Sequence, residues 1–374
     1  MNPCPSSRRG GLYVHVPFCA KKCAYCAFYS AAENAVERWG EAWLEGIRRE
    51  AAQAPDSFRP ATIYIGGGTP TVLPDSLLAR LLDELADRWG GSDLQEWTVE
   101  ANPGTLTPGN LHRMKMAGVT RLSLGAQSFS DAALTWLGRI HRAGQTQRAV
   151  AMAREAGFVH LSLDLMYGWP SPDALETLRA DLDAAMQLEP EHLSAYCLEI
   201  EPGTPLAERQ ARGESVTTTE EQQREAYDLL RTRLAAAGWP AYEISNFARP
   251  GCECRHNELY WSGGEYFGWG PAAHSHWDGE RFANSATLPH WSCTFRERLS
   301  PQRKACETLV MGLRRINGWT RDHFRAVTGF DYDDLRGAEI EQMAVAGLLW
   351  MTPQSIRLSP DALFISDTVF AALV

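Results

Sequence analysis

Between Gly11 and about Trp239, six short apolar runs of strand character alternate with helical stretches, and this alternation constrains the fold more than any other feature. The runs are Leu12–Val16, Thr62–Ile65, Trp97–Ala101, Arg121–Gly125, His160–Met166 and His192–Ile200. Between them lie the helical segments Glu37–Ala52, Asp75–Trp89, Pro108–Ala117, Thr146–Ala156 and Ala174–Leu188. Ala117-Gly118 and Ala156-Gly157 place a glycine where a left-handed helix C-cap would sit. Repeated strand–helix units imply a parallel sheet with helices outside, because parallel neighbours need a crossover. Only six strands precede the long helix Glu220–Ala237, whose Ala226, Leu230 and Leu234 share one packing face. An α/β fold built as an open, partial (β/α)6 barrel is therefore expected rather than a closed eight-stranded one. In such sheets ligands gather at the C-terminal strand ends, where loops vary without disturbing the core.

The first strand end carries Cys19-Ala-Lys-Lys-Cys23-Ala-Tyr-Cys26. A fully protein-ligated [4Fe–4S] cube takes four thiolates. Three thiolates in so short a loop hold three corners and leave one iron open to a small molecule. A structural zinc site would draw on four closed ligands from paired knuckles, and a disulfide has little reason to persist in a chain without a secretory signal. The nine cysteines are an odd number, which also argues against a disulfide framework. Cys4, Cys197, Cys293 and Cys306 are isolated and read as small buried hydrophobes.

Composition narrows the partners. A chain of 374 residues, 44% of them apolar, can build one large α/β domain plus a smaller one. Met1 to Gly11 has no apolar signal region, and Met343–Met351, the longest uncharged apolar stretch, is far short of the ~20 residues a membrane span needs. A soluble, cytoplasmic protein is expected. The net charge of −10 argues against nucleic acid as the main partner, though not against a small anion in a local pocket.

Further groups suited to a ligand sit at successive strand ends. Gly66-Gly67-Gly68-Thr69 ends the second strand with backbone that a ligand can approach closely. Glu100, Gln127 and Asp164 follow at the third, fourth and fifth, and Arg139 is suited to pair with a carboxylate. Each alone could be a structural hydrogen-bonding group; in series they suit one shared ligand. Together with the cysteine loop they resemble the radical S-adenosylmethionine (SAM) superfamily. There a CxxxCxxC triad binds a [4Fe–4S] cluster, the methionyl amine and carboxylate of SAM chelate the fourth iron, and SAM is cleaved reductively to a 5′-deoxyadenosyl radical.

The motifs Tyr-Val-His-Val-Pro-Phe-Cys, Gly-Gly-Gly-Thr-Pro-Thr, Glu-Ala-Asn-Pro-Gly, Ser-Leu-Gly-Ala-Gln-Ser-Phe, Leu-Gly-Arg-Ile-His and Asp-Leu-Met-Tyr-Gly-Trp-Pro resemble the oxygen-independent coproporphyrinogen oxidase group over nearly the whole chain. That resemblance implies cluster ligation by Cys19, Cys23 and Cys26. It also implies SAM contacts at Tyr13, Tyr25, Gly67, Gly68, Thr69, Glu100, Gln127, Arg139 and Asp164. Within the group, the coproporphyrinogen dehydrogenases carry a further cysteine two residues after the third; this chain has Phe28 there. The haem chaperone branch, HemW, has phenylalanine at that place and an HNxxYW motif, matched here by His256-Asn257-Glu258-Leu259-Tyr260-Trp261. The resemblance thus implies haem as cargo and haem-acceptor proteins as partners, with room for peripheral contact with membrane haem proteins. It leaves open whether SAM is turned over.

An imidazole is a common axial ligand to haem iron, and aromatic rings can stack on its macrocycle. His256 is accordingly the first candidate ligand, with His274 and His276 as alternatives. Taken alone, a histidine beside Tyr and Trp is more often a hydrogen-bonded structural residue, but the family resemblance reverses that weighting in favour of a haem ligand. Cys252-Glu-Cys254-Arg-His256 has tight spacing but no visible fourth ligand for a separate metal. Residues 239–291 hold five of the thirteen tryptophans and four of the ten histidines, which sets them apart from the barrel. From Ser300 the pattern reads as helices Gln302–Arg314, Arg321–Thr328 and Asp334–Ala346, then short strands Leu349–Thr352 and Ser355–Leu358, a small winged-helix-like unit. The expected organisation is a radical SAM core over 1–240, an aromatic and histidine-rich haem-binding connection over 241–299 and a C-terminal domain over 300–374.

Overall fold

A computed structural model describes residues 8–31, 34–91 and 93–374; Cys4 and most of the N-terminal stretch read above lie outside them. The chain begins with β1 (Arg8–Val16), α1 (Ala35–Gln53), β2 (Phe58–Gly67), α2 (Asp75–Trp89), β3 (Glu96–Ala101), α3 (Pro108–Ala117) and β4 (Arg121–Gln127). There follow α4 (Asp131–Trp136), α5 (Ala143–Glu155), β5 (His160–Tyr167), α6 (Ala174–Gln187), β6 (His192–Cys197), α7 (Pro205–Ala211) and α8 (Glu220–Ala236). Strands β1 to β6 are parallel and lie side by side in chain order, the open partial barrel that the alternation requires. Strand β6 stops at Cys197, short of Ile200, where Leu198 N–H turns back to the Tyr167 carbonyl at 2.8 Å. Helix α3 begins on a reciprocal Thr107–Asn110 capping box and ends on Gly118 at φ 98°, conformations those residue types favour.

The strands alternate with a period of two. Val14, Ile63, Val99, Leu122, Leu163 and Leu193 point outward beneath the helices and are fully buried. A leucine, isoleucine or valine buried in this way stabilises the fold by about 1.5–3 kcal/mol. The opposite face carries Tyr64, Thr98, Glu100, Arg121, Ser123, Ser162, Asp164, His192 and Ser194, so the barrel interior is polar rather than filled with branched aliphatic side chains. That polarity makes the interior a place for ligands.

Residues 241–299 do not stand apart from the barrel; they extend its sheet at both edges. Strand β7 (Asn246–Ala248) pairs antiparallel with β6. Helix α9 (Arg255–Trp261) follows, then β8 (Tyr266–Trp269), parallel to β1, and β9 (His274–Trp277), β10 (Glu280–Asn284) and β11 (Cys293–Arg298) in antiparallel succession. The C-terminal part comprises α10 (Pro301–Leu313), β12 (Trp319–Thr320), α11 (Arg321–Thr328), α12 (Tyr332–Val345), β13 (Leu349–Thr352), β14 (Ser355–Leu358) and α13 (Ser366–Leu373). Three helices followed by a β13–β14 hairpin, with β12 completing the small sheet, give the winged-helix order. It docks on the barrel through Arg224, whose Nη2 reaches Asp361 at 3.3 Å, and through Tyr227 packed on Phe364. Among the described residues no helix is long and apolar enough to cross a membrane.

Candidate cofactor site at the strand ends

A cavity of about 1220 Å³ opens at the C-terminal ends of the parallel strands, bounded by the cysteine loop, the strand-end residues and the C-terminal segment around Phe364. The loop is closed at its base by two backbone bonds, Cys19 N–H to Ala31 O at 3.0 Å and Ala31 N–H to Pro17 O at 2.8 Å. Its middle is held by Ala24 N–H to Leu137 O and by Leu206 N–H to Ala24 O. Cys19, Cys23 and Cys26 are free, half-buried and line this one cavity. Burial pushes the Cys19 and Cys26 thiols up, while Ser30 and Thr69 beside Cys19 and the Phe28 backbone at Cys26 work against that rise.

Glycines shape the second strand end. Gly68 N–H bonds to Val16 O and Thr69 N–H to Phe18 O, tying this turn to the strand that delivers the cysteines. A Cβ on Gly66 would stand 2.7–2.8 Å from the Glu100 carboxyl group, so only glycine leaves Glu100 its place. Gly67, at φ 103°, donates its N–H to Glu100 Oε2 at 3.1 Å, and Tyr64 donates its phenol to Oε1 at 2.8 Å. Burial pushes Glu100 up to about 7 against these two donors. Asp164 is pushed up to about 6, again by burial, against the hydroxyls of Ser194, Ser123 and Ser162 and the charge of Arg139. Ser123 Oγ lies 3.1 Å from both of its oxygens.

A register shift between Leu124 and Gln127 breaks the β4–β5 ladder and leaves Gln127 at φ 63°. Bulges of this kind re-aim side chains beside active sites. Here the irregularity turns Gln127 into the cavity next to Arg139, and Gly125 leaves room for both. Arg139 donates from Nη2 to the Gly125 carbonyl at 2.7 Å and from Nη1 to Cys23 Sγ at 3.4 Å. Burial weakens its charged form, but Tyr25 and Cys23 outweigh that and raise its pKa.

Of the nine residues expected at a SAM site, eight line the cavity: Tyr25, Gly67, Gly68, Thr69, Glu100, Gln127, Arg139 and Asp164. Tyr13 is not among the lining residues; its phenol lies 3.0 Å from His15 Nδ1 and its ring lies against that of the lining residue Tyr64. Phe28 is 67% exposed at the cavity rim.

His256, the first candidate for haem, is packed inside the fold. It is 1% exposed, with Nδ1 2.8 Å from Thr62 Oγ1 and Nε2 2.8 Å from Tyr260 Oη. Both ring nitrogens are engaged in these contacts. Burial lowers its pKa to about 3, which keeps the ring neutral. Cys254 likewise turns inward, Sγ to Glu96 Oε1 at 3.4 Å, and forms no metal cluster with Cys252 among the described residues. His274 is exposed and His276 half-buried on β9. The sequence reading overlooked Tyr64, Ser123, Ser194 and Tyr196 inside the barrel. Their signal was present, because each strand alternates polar with apolar residues, as in His-Leu-Ser-Leu-Asp.

The model of the Radical SAM superfamily matches residues 13–180. The heme chaperone HemW of Bacillus subtilis is 34% identical over 97% of this chain and 98% of its own. The chain belongs to the HemW family. The HemW of Escherichia coli is 38% identical over 70% of this chain and 69% of its own, and a mitochondrial radical SAM domain-containing protein of Bos taurus is 32% identical over 100% and 89%. The solved coproporphyrinogen III oxidase HemN of Escherichia coli superposes with a TM-score of 0.84, covering 100% of this chain and 91% of that one. At 19% identity it shows that HemW proteins share the HemN fold. Radical SAM membership implies a [4Fe–4S] cluster and SAM. The donors fit: three free thiols at one rim, a guanidinium on one of them and a glycine-lined carboxylate opposite.

Proposed function

We propose that this chain is a haem chaperone that takes up haem and passes it to haem-dependent acceptor proteins. The observation that carries this reading is the end-to-end likeness to HemW, together with Phe28 at the cavity rim where the dehydrogenases of the fold place a cysteine. In this reading Cys19, Cys23 and Cys26 hold the cluster. Tyr25, Gly67, Gly68, Thr69, Glu100, Gln127, Arg139 and Asp164 hold SAM. When bound, the cluster supplies an electron to SAM.

The protein's own groups prepare that site. Arg139 donates to Cys23 Sγ and offers positive charge beside the cluster loop. Glu100 and Asp164 line the cavity and accept hydrogen bonds on both of their oxygens, each of which keeps a further lone pair for a hydroxyl or ammonium donor. The C-terminal segment at Phe364 lines one side of the cavity.

Haem contact belongs to residues 241–299, where the exposed His274 replaces His256 as the accessible imidazole. Residues 1–240 form the radical SAM core and 300–374 the C-terminal domain. The site of action is the cytoplasm, with haem proteins, soluble or membrane-bound, as acceptors. The test is anaerobic reconstitution followed by parallel assays of haem uptake, haem release to an apo-haem protein and coproporphyrinogen III turnover. Uptake and release without turnover are expected. Turnover without haem uptake overturns the reading.

A further inference from the structure

The HNxxYW helix α9 closes the end of the barrel opposite the cysteine loop, and its contacts run directly to the carboxylate at the cofactor site. Glu96, on β3, accepts from Cys254 Sγ at 3.4 Å and from the backbone N–H groups of Arg255 and His256 at 3.2 Å. Arg121, on β4, pairs with Glu96 at 3.1 Å and donates to the carbonyls of Cys252 and Glu253. This buried ion pair fixes the start of the helix against the sheet.

His256 then touches two residues on the inner face of β2. It bonds to Thr62, and its ring lies on that of Tyr64 with centroids 5.2 Å apart and planes inclined by 30°. Tyr260, one turn along the helix, holds the other nitrogen and packs edge-on against the imidazole at 4.7 Å. On β1, Gly11 faces this ring, and a Cβ there would meet His256 Cε1 at 3.2 Å. The next contact along the line is the 2.8 Å hydrogen bond from Tyr64 to Glu100.

We propose that His256 is a positioning residue for the cofactor site: clamped by Thr62 and Tyr260, it supports the Tyr64 ring, which sets the direction of the Glu100 carboxylate. The motif acts as the floor of the SAM site and not as an axial haem ligand. The inference rests on the reading that Glu100 contacts SAM. A buried imidazole with both nitrogens satisfied is suited to this role, because it has one low-energy orientation and cannot swing out without leaving two polar partners unpaired.

The test is a SAM titration of the EPR spectrum of the reduced, reconstituted full-length protein, with haem uptake followed in parallel by the Soret band. His256→Ala and Tyr64→Phe should each weaken the apparent SAM affinity by about tenfold. The double variant should lose no more than either alone, since both cut the same line of contact. His256→Gln can still bond to Thr62 and Tyr260 and should recover affinity to within about twofold of the parent, whereas His256→Met, similar in volume but without those bonds, should stay as weak as His256→Ala, which a volume-only role would not give. The Soret position should be unchanged in all of them. Glu100→Gln separates the two levels. If it leaves SAM affinity unaltered, the assignment of Glu100 fails and the proposal with it. If it weakens SAM while Tyr64→Phe and His256→Ala do not, the proposal alone is overturned. A Soret band lost in His256→Gln with intact SAM affinity also overturns it.

Discussion

Arg139 donates to the sulfur of Cys23 at 3.4 Å while its other amino group is anchored on the Gly125 carbonyl. A guanidinium fixed in this way holds positive charge at the cluster loop. Lysine cannot make both contacts from one planar group. Arg139→Lys should therefore keep the fold but lower iron retention after anaerobic desalting, and Arg139→Met should lower it further. Iron and sulfide analysis per chain checks the order of the three proteins.

Gly66 offers a narrower probe of the carboxylate. A methyl group at that position meets the Glu100 carboxyl within 2.8 Å. Gly66→Ala should displace Glu100 and weaken SAM binding by about tenfold while leaving iron content unchanged, because the cysteine loop is held elsewhere. Gly68→Val should damage both, since its added atoms meet the Phe18 and Val16 backbone that carries the loop.

The raised carboxylates predict a pH dependence. Glu100 at about 7 and Asp164 at about 6 keep protons in the folded chain that an unfolded chain, with carboxylates near 4, has already released. Over that window these two groups bind more protons in the folded state than in the unfolded one, so their contribution to the stability of the cofactor-free protein falls as pH rises from about 4 to about 7, opposing the buried histidines, His256 among them, whose contribution rises with pH. Glu100→Gln should remove its share and make the slope of stability against pH more positive than in the parent. Denaturant midpoints of parent and variant across the range measure the difference, and an unchanged slope in the variant counts against the assignment.

The Arg121–Glu96 pair, 4% and 6% exposed, predicts a structural cost. Arg121→Ala leaves a buried carboxylate facing the first turn of α9 and should destabilise the protein by roughly 3–5 kcal/mol. Equilibrium unfolding gives the value, and the loss should be larger than for the exposed pair Arg80–Glu41.

The sequence made the barrel legible because its signals are local. Asp75–Trp89, Pro108–Ala117 and Arg321–Thr328 read from periodicity and caps coincide with α2, α3 and α11. The cysteine loop, Gly67, Glu100, Gln127 and Asp164 were placed by their positions at the ends of apolar strands, whereas Tyr25 and Arg139 came only from the family resemblance. The partners of Tyr13 and His256 were not legible, because they lie on other elements. Nothing in His-Asn-Glu-Leu-Tyr-Trp says that the imidazole is clamped between Thr62 and Tyr260, a contact spanning 194 residues of sequence. The sheet extension β8 to β11 was missed because its strands are short and aromatic, and Tyr266–Trp269 finds its partner in β1 at the other end of the chain. The polar barrel interior was readable from the period-two alternation, but only once a single face was counted.

The most direct test of the account is a haem titration of the anaerobically reconstituted protein, with the same sample then offered an apo-haem protein and coproporphyrinogen III. Saturable uptake seen in the Soret band, followed by haem appearing in the acceptor and no protoporphyrinogen formed, is the predicted result. Coproporphyrinogen decarboxylation with no saturable haem uptake would contradict it.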